Sequence, residues 1–422
     1  MTKRELVKVA VIGGGSTYTP ELADGIGRLL PGVQQLVLVD PDPGRLARVG
    51  PVSARIMAAH DHPADVRWTP SVDEGAEGAD AILFQLRIGG QAARQRDETW
   101  PLDCGCVGQE TTGAGGLAKA LRTVPVVLDL AERARRRASP SAFIIDFTNP
   151  VGIVTRALLS AGHRAVGLCN VAIGFQRDFA SLLGVPPSRV SLGHVGLNHL
   201  TWERSVLVDG VDVLPELLEK HAEEIASHTG MPADFIRHLG MVPSYYLRYY
   251  YAHDAVVASQ HGTVTRAEEV AKLEAELLEL YADPALDTKP PQLAQRGGAW
   301  YSEAAVDLLA SLTGDRRDTQ VVNTGNGLTL PFLPADAVIE VPAVIGSGGA
   351  VPVPVEPVEP LLRGLIAHTY AYEELALEAA ILGGRQRVYD ALLAHPLVGQ
   401  ADQAECLTDR LLAENAKFLP WT

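Results

Sequence analysis

Two short segments place metal-binding residue types just after strand-like runs. Cys169-Asn170 follows Ala165-Val-Gly-Leu168, and Gly196-Leu-Asn198-His199 comes about 30 residues later. One thiolate and one imidazole can hold a divalent cation if substrate oxygens and water complete its shell. The spacing matches no standard zinc motif, so a core cysteine and a hydrogen-bonded histidine remain the alternative, and His194 rivals His199. Further on, six of the nine residues Pro243–Tyr251 are tyrosine or arginine, in a chain with eleven tyrosines. On a helix such a run ordinarily packs, with phenol hydroxyls reaching solvent. A tyrosine beside a bound cation can instead act as a base, because the cation lowers its pKa.

A second group of residues suits a dinucleotide. Gly13-Gly14-Gly15-Ser16 stands where the run Val7–Ile12 hands over to a helical stretch from Pro20 to Leu30. Glycines there let backbone N–H groups and a helix N-terminus approach a pyrophosphate. The fit to G-x-G-x-x-G is partial, since Tyr18 occupies the third glycine position, and a tight strand–helix turn is the alternative. Asp40 ends the next strand-like run, 25 residues after Gly15. A carboxylate there bonds ribose hydroxyls and repels a 2′-phosphate, which selects NAD over NADP; Arg45 nearby is expected to face solvent. Asn149, in Asp146-Phe-Thr-Asn-Pro150, ends a further strand where substrate or cofactor would lie, although Asn-Pro also simply turns a chain. Arg94, Glu110 and Arg266 lie in charged or glycine-rich surroundings that by themselves name no role.

Apolar runs at 7–12, 35–40, 79–84 and 142–147 alternate with helical stretches, among them Ala118–Arg137. That alternation predicts a parallel sheet covered on both faces. The four arginines at 133–137 complement the carboxyl end of that helix. From about residue 165 the pattern mixes short strands (165–168, 201–208) with amphipathic helices at 267–281 and 303–313 and a helical block over 359–415. The segments Pro290-Pro291 and 351–357 read as rigid connectors. The expected fold class is α/β: a Rossmann-type parallel sheet over residues 1–165 and a mixed α/β half over 166–422.

With 422 residues, 47% hydrophobic and 21% charged, the chain has an ordinary globular composition and suits two or three domains. A net charge of −15 disfavours nucleic acid, though a local arginine pair can still hold a sugar phosphate. No apolar run approaches a membrane span, and the N-terminus has no signal-peptide pattern, which points to a cytoplasmic protein. Four cysteines in so long a chain are not a disulfide framework. Cys104 and Cys106 read as a buried thiol pair, with a redox pair near the pocket as the alternative.

Seven segments together resemble glycoside hydrolase family 4, in its 6-phospho-β-glucosidase branch. They are Val11-Ile-Gly-Gly-Gly-Ser-Thr-Tyr-Thr-Pro20, Gly108-Gln-Glu-Thr-Thr-Gly113, Asp146-Phe-Thr-Asn-Pro-Val151, Gly167-Leu-Cys-Asn170, Val195-Gly-Leu-Asn-His199, Tyr246-Leu-Arg-Tyr-Tyr250 and Arg296-Gly-Gly-Ala-Trp-Tyr-Ser302. The resemblance implies a lactate/malate dehydrogenase-like Rossmann half and a homodimer or homotetramer. NAD would be bound by Gly13, Gly14, Gly15, Ser16, Thr17 and Asp40. It makes Cys169 and His199 the ligands of a divalent metal, Mn²⁺ by family habit, and Tyr246 the catalytic base, with Tyr245 as register rival. Arg94 and Arg266 match positions that hold the 6-phosphate, and Glu110, Asn149 and Asn170 match sugar contacts. Asn170 stands where the α-acting relatives carry a general-acid Asp, which implies β-linked substrates such as cellobiose 6-phosphate.

The implied reaction oxidises C3, removes the C2 proton, eliminates the aglycone, adds water at C1 and reduces C3 again, with no net redox change. It needs no pair of catalytic carboxylates. Three other readings keep part of this: the same chemistry on a plain glycoside, an NAD-dependent sugar or hydroxy-acid dehydrogenase on the same fold, and a non-enzymatic NAD-sensing protein.

Overall fold

The computed structural model describes residues 8–296 and 300–421. Val7 of the first expected strand, and residues 297–299 within the segment 296–302, lie outside them. Among the described residues, thirteen strands form one continuous sheet. Its parallel half comprises β1 (Lys8–Ile12), β2 (Gln35–Val39), β3 (Asp65–Thr69), β4 (Ala81–Phe84), β5 (Phe143–Asp146) and β6 (Ala165–Gly167), in spatial order β3-β2-β1-β4-β5-β6. Strands β1, β4 and β5 are buried along nearly their whole length, which is why they read as unbroken apolar runs rather than alternating ones. The order reverses between β1 and β4, and the crevice at such a switch point is where open α/β sheets bind ligands.

The antiparallel half adds β7 (Val190–Leu197), β8 (Leu200–Val208), β9 (Val211–Asp212), β10 (Val242–Pro243), β11 (Asp318–Gly325), β12 (Val338–Gly346) and β13 (Gly349–Pro352). It joins through β11, which pairs antiparallel with β6. Strand β6, which begins at Ala165, therefore borders both halves, parallel to β5 on one side and antiparallel to β11 on the other. Residues 351–352, expected in a connector, instead pair as β13 with β12.

Helices cover both faces. Gly113–Arg137 starts five residues earlier than the periodicity predicts and contributes Leu117, Leu121, Val124 and Val127 to one apolar core. The C-terminal helices Pro360–Leu382, Arg385–Leu393 and Ala401–Asn415, expected with the second half, share that core through Tyr372, Val388, Leu407 and Leu411. The opposite face packs Ile26, Val49 and Ile56 with Leu308 and Leu309 of helix Tyr301–Gly314.

The cysteine expectation is overturned. Cys104 and Cys406 form a disulfide across 302 residues, their Cα atoms 6.0 Å apart, and Cys106 is a buried free thiol. Cysteine spacing could not show this, because only the return of the last long helix onto the Trp100–Cys104 turn brings the two together.

Candidate active site

The cofactor side is built by close packing. In the turn after β1, Gly13 and Gly14 both donate to the Val39 carbonyl, and Gly15 donates to the Asp40 carboxylate at 3.1 Å. A side chain would not fit. A Cβ on Gly14 would come within 2.7 Å of Leu38, and one on Gly15 within 2.7 Å of the Asp40 carboxylate. Gly13 also has φ +90, a conformation that favours glycine. Asp40 is half-buried; desolvation raises its pKa against the opposing bonds from the Asp42 and Gly15 amides. Arg45 departs from its expected solvent-facing position, since its Nε donates to the Gly15 carbonyl at 2.8 Å. Thr17 is fully buried and turned to the interior. It accepts from Arg296 Nε on its hydroxyl and from the Tyr281 hydroxyl on its carbonyl. A glycine turn at the switch point with a carboxylate at the next strand end suits a dinucleotide.

The reacting side comes from four separate places. Asn149 follows β5, in the segment leading to the cis Asn149–Pro150 bond, and Cys169-Asn170 follows β6. His199 occupies the tip of the two-residue hairpin between β7 and β8, at φ +64. A histidine in the left-handed region is uncommon, and such residues cluster where local geometry serves a function. Tyr246 lies in the 3-10 turn Tyr245–Leu247, not in the regular helix that a packed tyrosine run would form. The turn aims it at His199, and the two rings stack with centroids 3.6 Å apart.

A cavity of about 510 Å³ runs between the two sides. Ser16, Arg94, Glu110, Asn149, Asn170, His199, Tyr246 and Arg266 all line it. Cys169 is buried behind this wall. Burial, followed by the nearby Glu340 carboxylate, raises the thiol's pKa. Burial lowers His199 to about 4, so the imidazole is neutral at pH 7, the form that binds metals. Its Nδ1 is buried with no hydrogen-bond partner among the described residues. Those residues contain no group of three or more His, Cys, Asp or Glu able to hold a metal. A thiol and an imidazole would leave positions on a cation for substrate oxygens and water, and the orphaned imidazole nitrogen fits such an ion.

Neither candidate phosphate arginine is a free cation. Arg94 bonds Glu98 at 2.7 Å and lies 3.2 Å from Glu110, while the exposed Arg266 holds Glu269 and the Gln295 carbonyl. Glu110 is buried among three cations: Arg87, Arg94 and Lys119, the last at 2.6 Å. They hold it well below the usual carboxylate range despite its burial. Burial pushes Lys119 down to about 7 against the pull of Glu110.

Sequence reasoning gave no role to Arg87, Lys119, Arg296 or Tyr301, which also line the cavity. Lys119 had a visible signal: a lone lysine in the otherwise small and apolar stretch 113–121. Tyr301 and Arg296 lay within the recognised segment 296–302, and Arg87 had none.

Residues 8–185 match the model of the family 4 glycosyl hydrolases, and residues 194–398 match that of their C-terminal domain. The chain belongs to glycosyl hydrolase family 4. A probable 6-phospho-β-glucosidase of Bacillus subtilis is 38% identical over 98% of this chain and 97% of its own length. Among solved structures, the 6-phospho-β-glucosidase of Thermotoga maritima with manganese, NAD⁺ and glucose 6-phosphate superimposes with a TM-score of 0.91. It is 31% identical, and the match covers 98% of this chain and 99% of that one. The malate dehydrogenase of Cryptosporidium parvum, 15% identical with a TM-score of 0.55 over 89% of this family 4 chain and 99% of its own, shares the fold. The expected dehydrogenase-like Rossmann architecture is therefore present.

Proposed function

We propose that this family 4 enzyme hydrolyses 6-phospho-β-glucosides such as cellobiose 6-phosphate, with NAD and a divalent cation, Mn²⁺ by preference, as its cofactors. The observation that carries the reading is the stacking of Tyr246 on His199 beside buried Cys169, in the cavity that Ser16 of the glycine turn also lines. The similarity to 6-phospho-β-glucosidases along nearly the full chain supports the substrate class.

Gly13–Ser16 and Asp40 would hold the dinucleotide, with Thr17 turned away from it, and Cys169 with His199 would hold the cation. When bound, NAD takes and returns the hydride at sugar C3, while the cation polarises the C2 and C3 oxygens and lowers the pKa of nearby acids. Tyr246 Oη takes the C2 proton. Burial, then the Tyr245 phenol, raises Tyr246 well above the usual phenol range, so it stays protonated until a cation is present. Asn149, Asn170 and Glu110 orient the sugar hydroxyls. Arg94 and Arg266 face the 6-phosphate.

We place the enzyme in the cytoplasm, where NAD and sugar phosphates are kept; the described residues include no helix long and apolar enough to cross a membrane. The Cys104–Cys406 disulfide runs against that placement, since such bonds are rare in reducing compartments. A homodimer or homotetramer would cover Leu361, Ile381 and Leu382, exposed on helix Pro360–Leu382.

Release of nitrophenol from its β-glucoside 6-phosphate, with and without NAD and Mn²⁺ and beside the plain glucoside, tests the proposal. Turnover should need both cofactors, accumulate no NADH and favour the phosphorylated sugar. Turnover of the plain glucoside alone would discard the phosphate site. NADH building up without hydrolysis would discard the reaction.

A further inference from the structure

One row of residues crosses the sheet directly below the reacting side. Gly167 on β6 pairs with Asn323 on β11, Asn323 with Glu340 on β12, Glu340 with Gly196 on β7, and Gly196 with Thr201 on β8. Two residues beyond Gly167 is Cys169, and three beyond Gly196 is His199. The register thus sets Glu340 between the strand that delivers the cysteine and the hairpin that delivers the histidine.

Glu340 is 1% exposed and pairs with no arginine or lysine among the described residues. Its carboxylate accepts from His194 Nε2 at 3.1 Å, Asn198 Nδ2 at 2.9 Å and Asn323 Nδ2 at 2.8 Å. His194 in turn bonds Glu203, also fully buried, at 2.6 Å. Two buried carboxylates thus share one imidazole, and Glu340 has no arginine or lysine beside it among the described residues. Buried charge left uncompensated is costly, and native proteins pair it or place it by a metal. Lys119, the nearby buried cation, is held by Glu110. Asn198 supplies the link to the histidine, since its amide bonds Glu340 and His199 is the next residue in the chain; Asn323, which also bonds Glu340, pairs across the sheet with Gly167, two residues before Cys169.

We infer that Glu340, acting through Asn198 and Asn323, is a positioning residue that gathers Cys169 and His199 and supplies the negative charge that draws a divalent cation to them. The inference rests on the metal site proposed above. A carboxylate behind the ligands fixes their orientation and strengthens their hold, and losing such a partner typically weakens metal binding ~10–100-fold.

Mn²⁺ binding to the full-length, NAD-saturated protein, followed by electron paramagnetic resonance, tests it with wild type, Cys169→Ala, Glu340→Gln and Asn198→Ala. Glu340→Gln should weaken Mn²⁺ about 10–100-fold, leave NAD affinity unchanged, and abolish the rise in melting temperature that Mn²⁺ gives wild type. Glu340→Asp, which restores the charge, should recover part of the affinity. A purely structural carboxylate would lower the metal-free melting temperature and leave Mn²⁺ affinity and spectrum as in wild type; that result overturns the inference. If Glu340→Gln does not fold, Asn198→Ala decides, and wild-type Mn²⁺ affinity in that variant overturns it. Failure of the underlying reading looks different: wild type would bind no Mn²⁺, or Cys169→Ala would bind it as tightly.

Discussion

On the cofactor side of the cavity, the amides of Gly13, Gly14, Gly15 and Ser16 all have partners within the turn or the neighbouring strand. On the reacting side, His199 Nδ1 and Asn149 Oδ1 are buried with none among the described residues. The first wall is complete as folded, its shape fixed by backbone approaches too close for a side chain. The second is incomplete without ligands, and its orphaned groups carry a desolvation penalty that binding would relieve. A cofactor resident through every cycle suits a finished cradle, and a site that must exchange sugar suits groups kept unpaired until it arrives.

Three changes would break or sharpen that contrast. Tyr246→Phe acts only on the incomplete wall and should lower kcat by ~10²–10⁴, the usual share of a positioned base. NAD binding, read by fluorescence titration, should not move; a variant with wild-type kcat would remove Tyr246 as the base. Gly15→Ala should do the reverse. Its Cβ must displace the Asp40 carboxylate, so NAD affinity should fall about tenfold, ~1.4 kcal/mol, with Mn²⁺ affinity unchanged. An equal loss of both would mean that the walls are not independent. The smallest effect on the site is expected from Cys104→Ser with Cys406→Ser, because neither cysteine lines the cavity. Unfolding should become easier by ~2–4 kcal/mol, lowering the melting temperature with kcat unchanged; a fall in kcat would tie the bridge to the site.

The cofactor wall was the more legible of the two. Its strand, glycines, helix and Asp40 lie within about 35 residues, and each step is a local pattern of apolar runs and turn residues. Even there Arg45 ran against expectation, since nothing local predicts a bond back to the Gly15 carbonyl. The reacting wall was legible as residue types without an arrangement. Cys169, His199 and the tyrosine run each had a plain packing reading, and recognition of the seven segments, not spacing, favoured the chemical one. Glu340 drew no notice, because a single glutamate in a β-branched run near residue 340 becomes a buried charge only when β7, β11 and β12 align.

The sequence by itself determined the alternation of strands and helices, the glycine turn with its carboxylate, and the inventory of chemistry-bearing residues, because propensity, periodicity and turn chemistry act over a few neighbours. Tertiary structure alone decided which tyrosine faces the histidine, that Lys119 and Glu110 share a buried pair, that Cys406 finds Cys104, and that one row of the sheet runs beneath both candidate metal ligands. Those outcomes depend on groups up to 302 residues apart in the chain. What joins such groups is burial of a common core, and a core is a property of the packed layers rather than of any segment within them.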